Sequence, residues 1–298
     1  MNPLDGNACA VRPSLTERIP PHLFFLGSAV FHYLGPSFAV LLFARVPVAG
    51  VAWLRIVSAA AVFALWRQPW RVFFDSSAGI RWTIAALGAV FAVMNYSFYI
   101  AIDRLPLGTV AAIEFVGPIV LALAGSRTVR NLSALALAVV GVYLLINVRM
   151  AGDIVAFAWA FANAGLFMLY IVLAHRVANM DRRGSPIDRL GAAMLIAAIV
   201  VTPIGLADAA PALADPLALG AGVAVGISSS VIPYIFDQLA MSRLPRATYA
   251  LFISILPAAA VIIGLVMLQQ VPSLIELIGV ALVAIAVAVH RPGDSPEH

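Results

Sequence analysis

Apolar residues fill ten stretches of this chain, at approximately 21–44, 47–66, 80–102, 105–125, 131–148, 154–174, 188–207, 217–241, 244–268 and 273–290. Polar residues are largely confined to the joints between them. A helix needs about 20 apolar residues to cross ~30 Å of hydrocarbon. Each stretch therefore predicts one spanning helix, and the chain predicts an all-α membrane protein with ten transmembrane helices. Most joints are very short (Ser126 to Arg130 is all that separates the fourth and fifth stretches), so neighbouring helices must pack as antiparallel hairpins. Only the joint around Asn179-Met180-Asp181-Arg182-Arg183-Gly184 is long and charged. Residues 1–18 predict a disordered tail and residues 291–298 a second short one. The first stretch is too long for the apolar core of a signal peptide.

The pattern is written twice. Pro106, Pro118, Gly125, Thr109 and Pro47 recur as Pro245, Pro257, Gly264, Thr248 and Pro186, each 139 residues later. Such a fixed offset predicts an internal duplication into two five-helix repeats, residues 19–148 and 149–290. Five is odd, so the second copy must enter the bilayer from the opposite side. The repeats are then inverted about a pseudo-two-fold in the membrane plane, the plan of many secondary transporters.

Composition agrees with this class and narrows it. The chain is 63% hydrophobic and only 11% charged, with mean hydropathy +1.01, which leaves too little polar surface for a soluble protein of this length. Its net charge of +4 comes from arginines scattered singly and in pairs, which predicts no nucleic-acid surface. With the N-terminus in the cytoplasm, fourteen arginines lie inside, only Arg45, Arg104 and Arg149 outside, and Arg55 within a span. That bias predicts cytoplasmic termini in a bacterial inner membrane. The lone Cys9 can build neither a disulfide framework nor a cysteine metal site. Motifs for hydrolases, nucleotide binding or zinc are missing, so no catalytic residues, metal or cofactor are expected.

Charge inside the bilayer is expensive and therefore informative. Arg55 and Glu114 stand ninth and tenth in two stretches that cross in the same direction. Both lie roughly 13 Å from their helix starts, at matching depth. Two readings are open: a buried ion pair that locks two helices, or a polar site in which each residue meets charge on a substrate. His32 lies mid-span beside Gly35-Pro36, where the helix should kink or unwind. It is either a proton carrier or a hydrogen-bonded packing residue. Asn95 and Tyr96 add uncharged polar groups facing the same region. Pro118 and Pro257 read as matched kinks in equivalent spans, and Asp237 near Arg243 as an interfacial residue.

These residues resemble a known family. The blocks Asn95-Tyr96-Ser97-Phe98-Tyr99, Leu105-Pro106-Leu107-Gly108 and Glu114-Phe115-Val116-Gly117-Pro118 are similar to the EamA-type drug/metabolite transporter superfamily. Within it they lie closest to the threonine/homoserine exporter branch. Leu54-Arg55, Pro233-Tyr234 and Arg243-Leu244-Pro245 add to the likeness, which covers roughly residues 20–290. The resemblance implies a proton-coupled inner-membrane exporter of small amino acids or related metabolites. The chain departs from that branch at Leu256, where an acid is usual before the ninth-span proline. It departs again at Gln269-Gln270, where Gly-Glu is usual. A broad-range drug or nucleoside exporter is the alternative within transport, and a non-transporting structural subunit the alternative outside it.

Overall fold

Prolines and polar joints set where the helices begin and end. The computed structural model describes residues 20–125, 127–149, 153–179, 186–241 and 255–289, and every regular element among them is helical. In chain order these are α1 (Pro21–Leu42), α2 (Val48–Arg67), the short α3 (Trp70–Asp75), α4 (Ala78–Arg104), α5 (Leu107–Glu114), α6 (Val116–Gly125) and α7 (Val129–Arg149). There follow α8 (Ile154–Asn179), α9 (Pro186–Ala214), α10 (Pro216–Gly226), a π-helical turn (Ile227–Val231), α11 (Ile232–Met241), α12 (Leu256–Leu268) and α13 (Leu274–Val289). Both tails, the centre of the 179–184 joint, and Arg243, Pro245 and Thr248 of the repeated pattern lie outside the described residues.

Among the described residues, seven helices are long and apolar enough to cross a membrane: α1, α2, α4, α7, α8, α9 and the continuous run from α10 through the π turn into α11. The other three expected spans are shorter apolar helices, each for a physical reason. The fourth is divided at Phe115 into α5 and α6. An α-helix would bond the Glu114 carbonyl to the N–H of residue 118, and Pro118 has none. The ninth is described only from Ile255, so Pro257 stands in the first turn of α12. The tenth, α13, has 16 residues, about 24 Å of helix. Helix α1 continues unbroken through Pro36, so the backbone there is not unwound.

Local chemistry closes the ends. Pro20, Pro47 and Pro106 immediately precede α1, α2 and α5. Ser273 and Glu276 form a reciprocal capping box on α13: Ser273 N–H donates to Glu276 Oε2 at 2.8 Å, and Glu276 N–H donates to Ser273 Oγ at 3.2 Å.

The helices pack in a recurring pattern. Helix α2 lies on α9, α7 on α13, and α5 on α12; α4 lies on α8 and α9, and α1 on α11, α10 and α12. Small residues permit the close crossings, because lipid supplies no hydrophobic drive between helices. Where α7 meets α13, a Cβ on Gly141 would stand 2.7 Å from the Gly279 carbonyl oxygen, and one on Gly279 would stand 2.9 Å from that of Gly141. Neither backbone can yield independently. Gly141→Leu is expected to destabilise the protein by about 1–3 kcal/mol, read as a lower thermal unfolding midpoint in detergent. An unchanged midpoint would mean that the helices can slide apart there freely.

Polar links tie the two halves of the chain at both ends of the bundle. At one end Arg104 Nη1 meets Asp153 Oδ2 at 2.8 Å and Arg45 Nη1 approaches Asp215 Oδ2 at 3.9 Å. At the other, Arg67 Nε meets Asp188 Oδ1 at 2.7 Å. The Arg104 hydrogen bond, seconded by the Ala156 N–H, holds the Asp153 carboxyl below its ordinary value. What this pair contributes is present at neutral pH and is lost only as pH falls through that lowered value. Exposed pairs of this kind contribute little in any case, so the glycine-mediated packing holds the helices together.

Candidate functional site

The buried charges stand where helices are interrupted. Glu114 is the last residue of α5, at the Phe115 break, and is 8% exposed. Arg55 lies within α2 and is 7% exposed. They do not form an ion pair with each other. Each is hydrogen-bonded instead to the other half of the chain.

Arg55 is held by the π turn. Its Nε donates to Ser230 Oγ at 3.2 Å, and its Nη2 donates to the Ser229 carbonyl at 3.4 Å. That carbonyl is available because its α-helical partner would be the N–H of residue 233, which is Pro233. π turns often mark functional sites, since one extra residue re-aims side chains and backbone. The guanidinium carbon also sits 5.2 Å from the centre of the Tyr99 ring, within cation–π range. Helix α1 lies against this turn at Gly35, where a Cβ would meet Ser229 Oγ at 2.0 Å and the Ser229 backbone nitrogen at 2.7 Å. A backbone atom cannot step aside, so Gly35 has to remain glycine for α1 to reach the π turn.

Glu114 is held by α8. Asn163 Nδ2 donates to Glu114 Oε1 at 3.2 Å, and Asn163 is fully buried. Tyr33 of α1 lies within electrostatic reach of Glu114, and His32, half-buried beside it, lies within reach of Arg55.

Four buried side-chain atoms among the described residues lack a hydrogen bond of good geometry: Tyr33 Oη, Asn163 Oδ1, and Tyr99 Oη and Ser229 Oγ, the last two lying close to each other and Tyr99 also close to the Arg55 side chain. Buried polar atoms are nearly always paired, so each unpaired one calls for an explanation. All four belong to residues that surround Arg55 or Glu114. Together they offer donors beside the guanidinium and an acceptor beside the carboxylate. A small molecule carrying a carboxylate and an ammonium group has the complementary set.

Other predicted residues stand apart from this cluster or support it indirectly. Asn95 is buried but donates to the Phe91 carbonyl of its own helix at 2.7 Å. Tyr96 is half-buried with its ring edge-on to Trp159, 6.1 Å away. Leu256 packs against the main apolar core. Gln269 closes α12 in a left-handed conformation, at φ 55°. The Gln270 amide oxygen accepts from the Leu107 N–H at 3.0 Å, joining the end of α12 to the start of α5. The Gln270 side chain also lines a shallow pocket with Pro106, Thr109 and Glu276, about 10 Å along α5 from Glu114.

Asn163, Tyr33, Tyr99 and the Ser228-Ser229-Ser230 triplet are site residues that the sequence did not single out as candidates. The signal was available: an amide midway along the 154–174 stretch, and three serines before Val231-Ile232-Pro233 within 217–241, are polar groups that need partners in hydrocarbon, though each costs less to bury than a charge.

Comparison with known proteins shows the chain's family. The EamA-like transporter family matches residues 150–290. The threonine/homoserine exporter RhtA of Salmonella typhimurium (strain LT2) is 31% identical over 282 residues, covering 93% of each chain. The exporter of the same name from Escherichia coli (strain K12) is 31% identical over 255 residues, covering 85% of this chain and 84% of its own. A solved crystal structure with 18% identity superposes with a TM-score of 0.56 over 90% of this chain and 95% of its own, a likeness of fold alone.

Proposed function

Because this chain belongs to the EamA-like transporter family, we propose that it is a secondary transporter exporting small zwitterionic amino acids such as threonine or homoserine. The observation that carries this reading is the pair of buried opposite charges, Arg55 and Glu114. They are not joined to each other, and unpartnered hydrogen-bonding atoms flank both. A zwitterion offers each an opposite pole. An anion or cation of similar size would leave one protein charge unpaired or repelled, which gives selectivity. Arg55, Ser229 and Tyr99 receive the carboxylate. Glu114 and Asn163 receive the ammonium, and Glu114 also carries the coupling proton, with His32 and Tyr33 beside it.

The chain works by alternating access, as two inverted five-helix repeats, residues 19–148 and 149–290, with ten spans and both termini in the cytoplasm. The packing supports this. Exchanging each span for the one five places later carries the α2–α9, α7–α13 and α5–α12 contacts onto themselves, and it carries α4–α8 onto α1–α11. Reciprocal glycines at the α7–α13 crossing fit the same operation. Orientation is testable by cysteine labelling on a Cys9→Ser background. An Asp181→Cys variant should be labelled only from the cytoplasmic side, and labelling from outside intact cells would reverse the assignment.

The deciding experiment is a substrate panel in proteoliposomes with an imposed pH gradient, beside growth of expressing cells on inhibitory amino acids. Threonine or homoserine flux that collapses with the gradient is expected. Resistance to lipophilic cations alone, with no amino acid moved, would favour a drug exporter. No flux of any solute would favour a structural subunit.

A further inference from the structure

Asn163 makes one hydrogen bond where its amide has capacity for more. Its Nδ2 donates to Glu114 Oε1 at 3.2 Å, its side chain is fully buried, and its Oδ1 has no partner. A primary amide carries a donor and an acceptor side by side, and a carboxyl group carries two oxygens at matching separation. A protonated carboxyl therefore closes a ring with an amide: the amide N–H bonds to one oxygen while the acid O–H bonds to the amide oxygen. The ionised form cannot close that ring, because its second oxygen and the amide oxygen are both acceptors. Rotation about the terminal carboxyl and amide bonds, which are soft, is enough to bring those two oxygens face to face.

One hydrogen fills the gap between the two oxygens. It comes either from a proton on Glu114 Oε2 or from an N–H of an ammonium group that bonds to both. We infer that Asn163 makes the coupling proton and the substrate ammonium compete for a single place between Glu114 Oε2 and Asn163 Oδ1. This rests on the reading of Glu114 as the shared proton and ammonium site. Without Asn163 the two ligands would still oppose each other through charge. With it they exclude each other stereochemically, because a proton directed at Oδ1 uses the same acceptor that the ammonium needs.

The surroundings leave this gap to Asn163. The ionisable groups bearing on Glu114 are Arg55 from α2 and Tyr33 from α1, while His32 acts on Arg55. Of the helices packed on α5, α8 supplies the Asn163 contact, and the buried carboxylate of α13, Glu276, is engaged in its capping box with Ser273.

The test uses the full chain in lipid nanodiscs with radiolabelled threonine, measured from acid to alkaline pH. Wild-type protein should bind threonine progressively more weakly as pH falls, and threonine added to a weakly buffered sample should release protons. Asn163→Leu removes the amide. It should weaken alkaline-pH binding about tenfold and make the acid limb shallower, levelling off at a residual affinity, because only the charge opposition through Glu114 remains. Asn163→Asp is isosteric and retains an acceptor. It turns the site into a coupled pair of carboxylates sharing a proton, so loss of binding should move to higher pH. Folded Asn163→Leu and Asn163→Asp proteins with wild-type affinity and pH profile would overturn the inference while leaving amino-acid export intact. Should Asn163→Leu fail to fold, an unmoved acid limb in Asn163→Asp overturns it alone. Wild-type protein that binds no amino acid at all removes the proposed function, and the inference with it.

Discussion

Glu114→Gln protein is expected to fold normally and to lose proton-driven threonine flux to the level of empty liposomes. The substitution keeps the shape of the side chain and an oxygen to accept from Asn163 Nδ2. Arg55 loses a nearby countercharge but retains Ser229, Ser230 and the Tyr99 ring, so its hydrogen bonds survive the change. What disappears is the charge. An ammonium facing an amide oxygen instead of a carboxylate loses a charge-assisted bond of about 1.5–3 kcal/mol, roughly 10- to 100-fold in affinity. The coupling proton also loses the one carboxyl that the described residues supply to this cluster. Radiolabelled threonine binding and gradient-driven efflux on the same preparation separate the two losses. Weakened binding with gradient-driven flux preserved would move the coupling proton to another group, His32 first. Unchanged binding would remove Glu114 from the ammonium site.

Arg55→Lys is expected to raise the threonine KM by about tenfold or more while leaving the unfolding midpoint close to wild type. A guanidinium is a planar fork that can bond to Ser230 Oγ, to the Ser229 carbonyl and still present N–H groups to a carboxylate. An ammonium is a point charge on a flexible stem. It can satisfy the π turn or reach the substrate, but it lacks the geometry for both. Arg55→Met goes further. It strands the Ser229 carbonyl and Ser230 hydroxyl, at about 1–3 kcal/mol for a buried unsatisfied group, and leaves Glu114 without a countercharge nearby. Flux should then be absent and the unfolding midpoint lower. A lysine variant with wild-type KM would show that the fork serves only the π turn. The carboxylate would then have to bind elsewhere.

Helix content, membrane residence and the identity of the two costly charges were legible in the chain, because each rests on a rule that acts locally. Twenty apolar residues in succession can satisfy their backbone in lipid only as a helix. An arginine or glutamate within such a run is conspicuous wherever its partners lie. The family resemblance was legible for a related reason: its specific blocks, such as Glu114-Phe115-Val116-Gly117-Pro118, are contiguous.

Partnership was not legible. Arg55 and Glu114 at equal depth suggested a pair, yet Arg55 meets residues 174 and 175 positions away and Glu114 meets one 49 positions away. Depth constrains only the coordinate along the membrane normal. Which helix lies beside which is set by surface complementarity, here by glycines that admit another backbone at Gly35 and Gly141. Gln270 makes the same point: by sequence it is a missing carboxylate, and in the fold its amide oxygen receives the N–H that starts α5. By itself the sequence determined that this chain lives in a membrane as helices and carries two buried charges, since burial in lipid is decided residue by residue. Only the tertiary structure decided that those charges stay apart, each answered by polar atoms of the opposite half, since contact between distant segments is decided by packing.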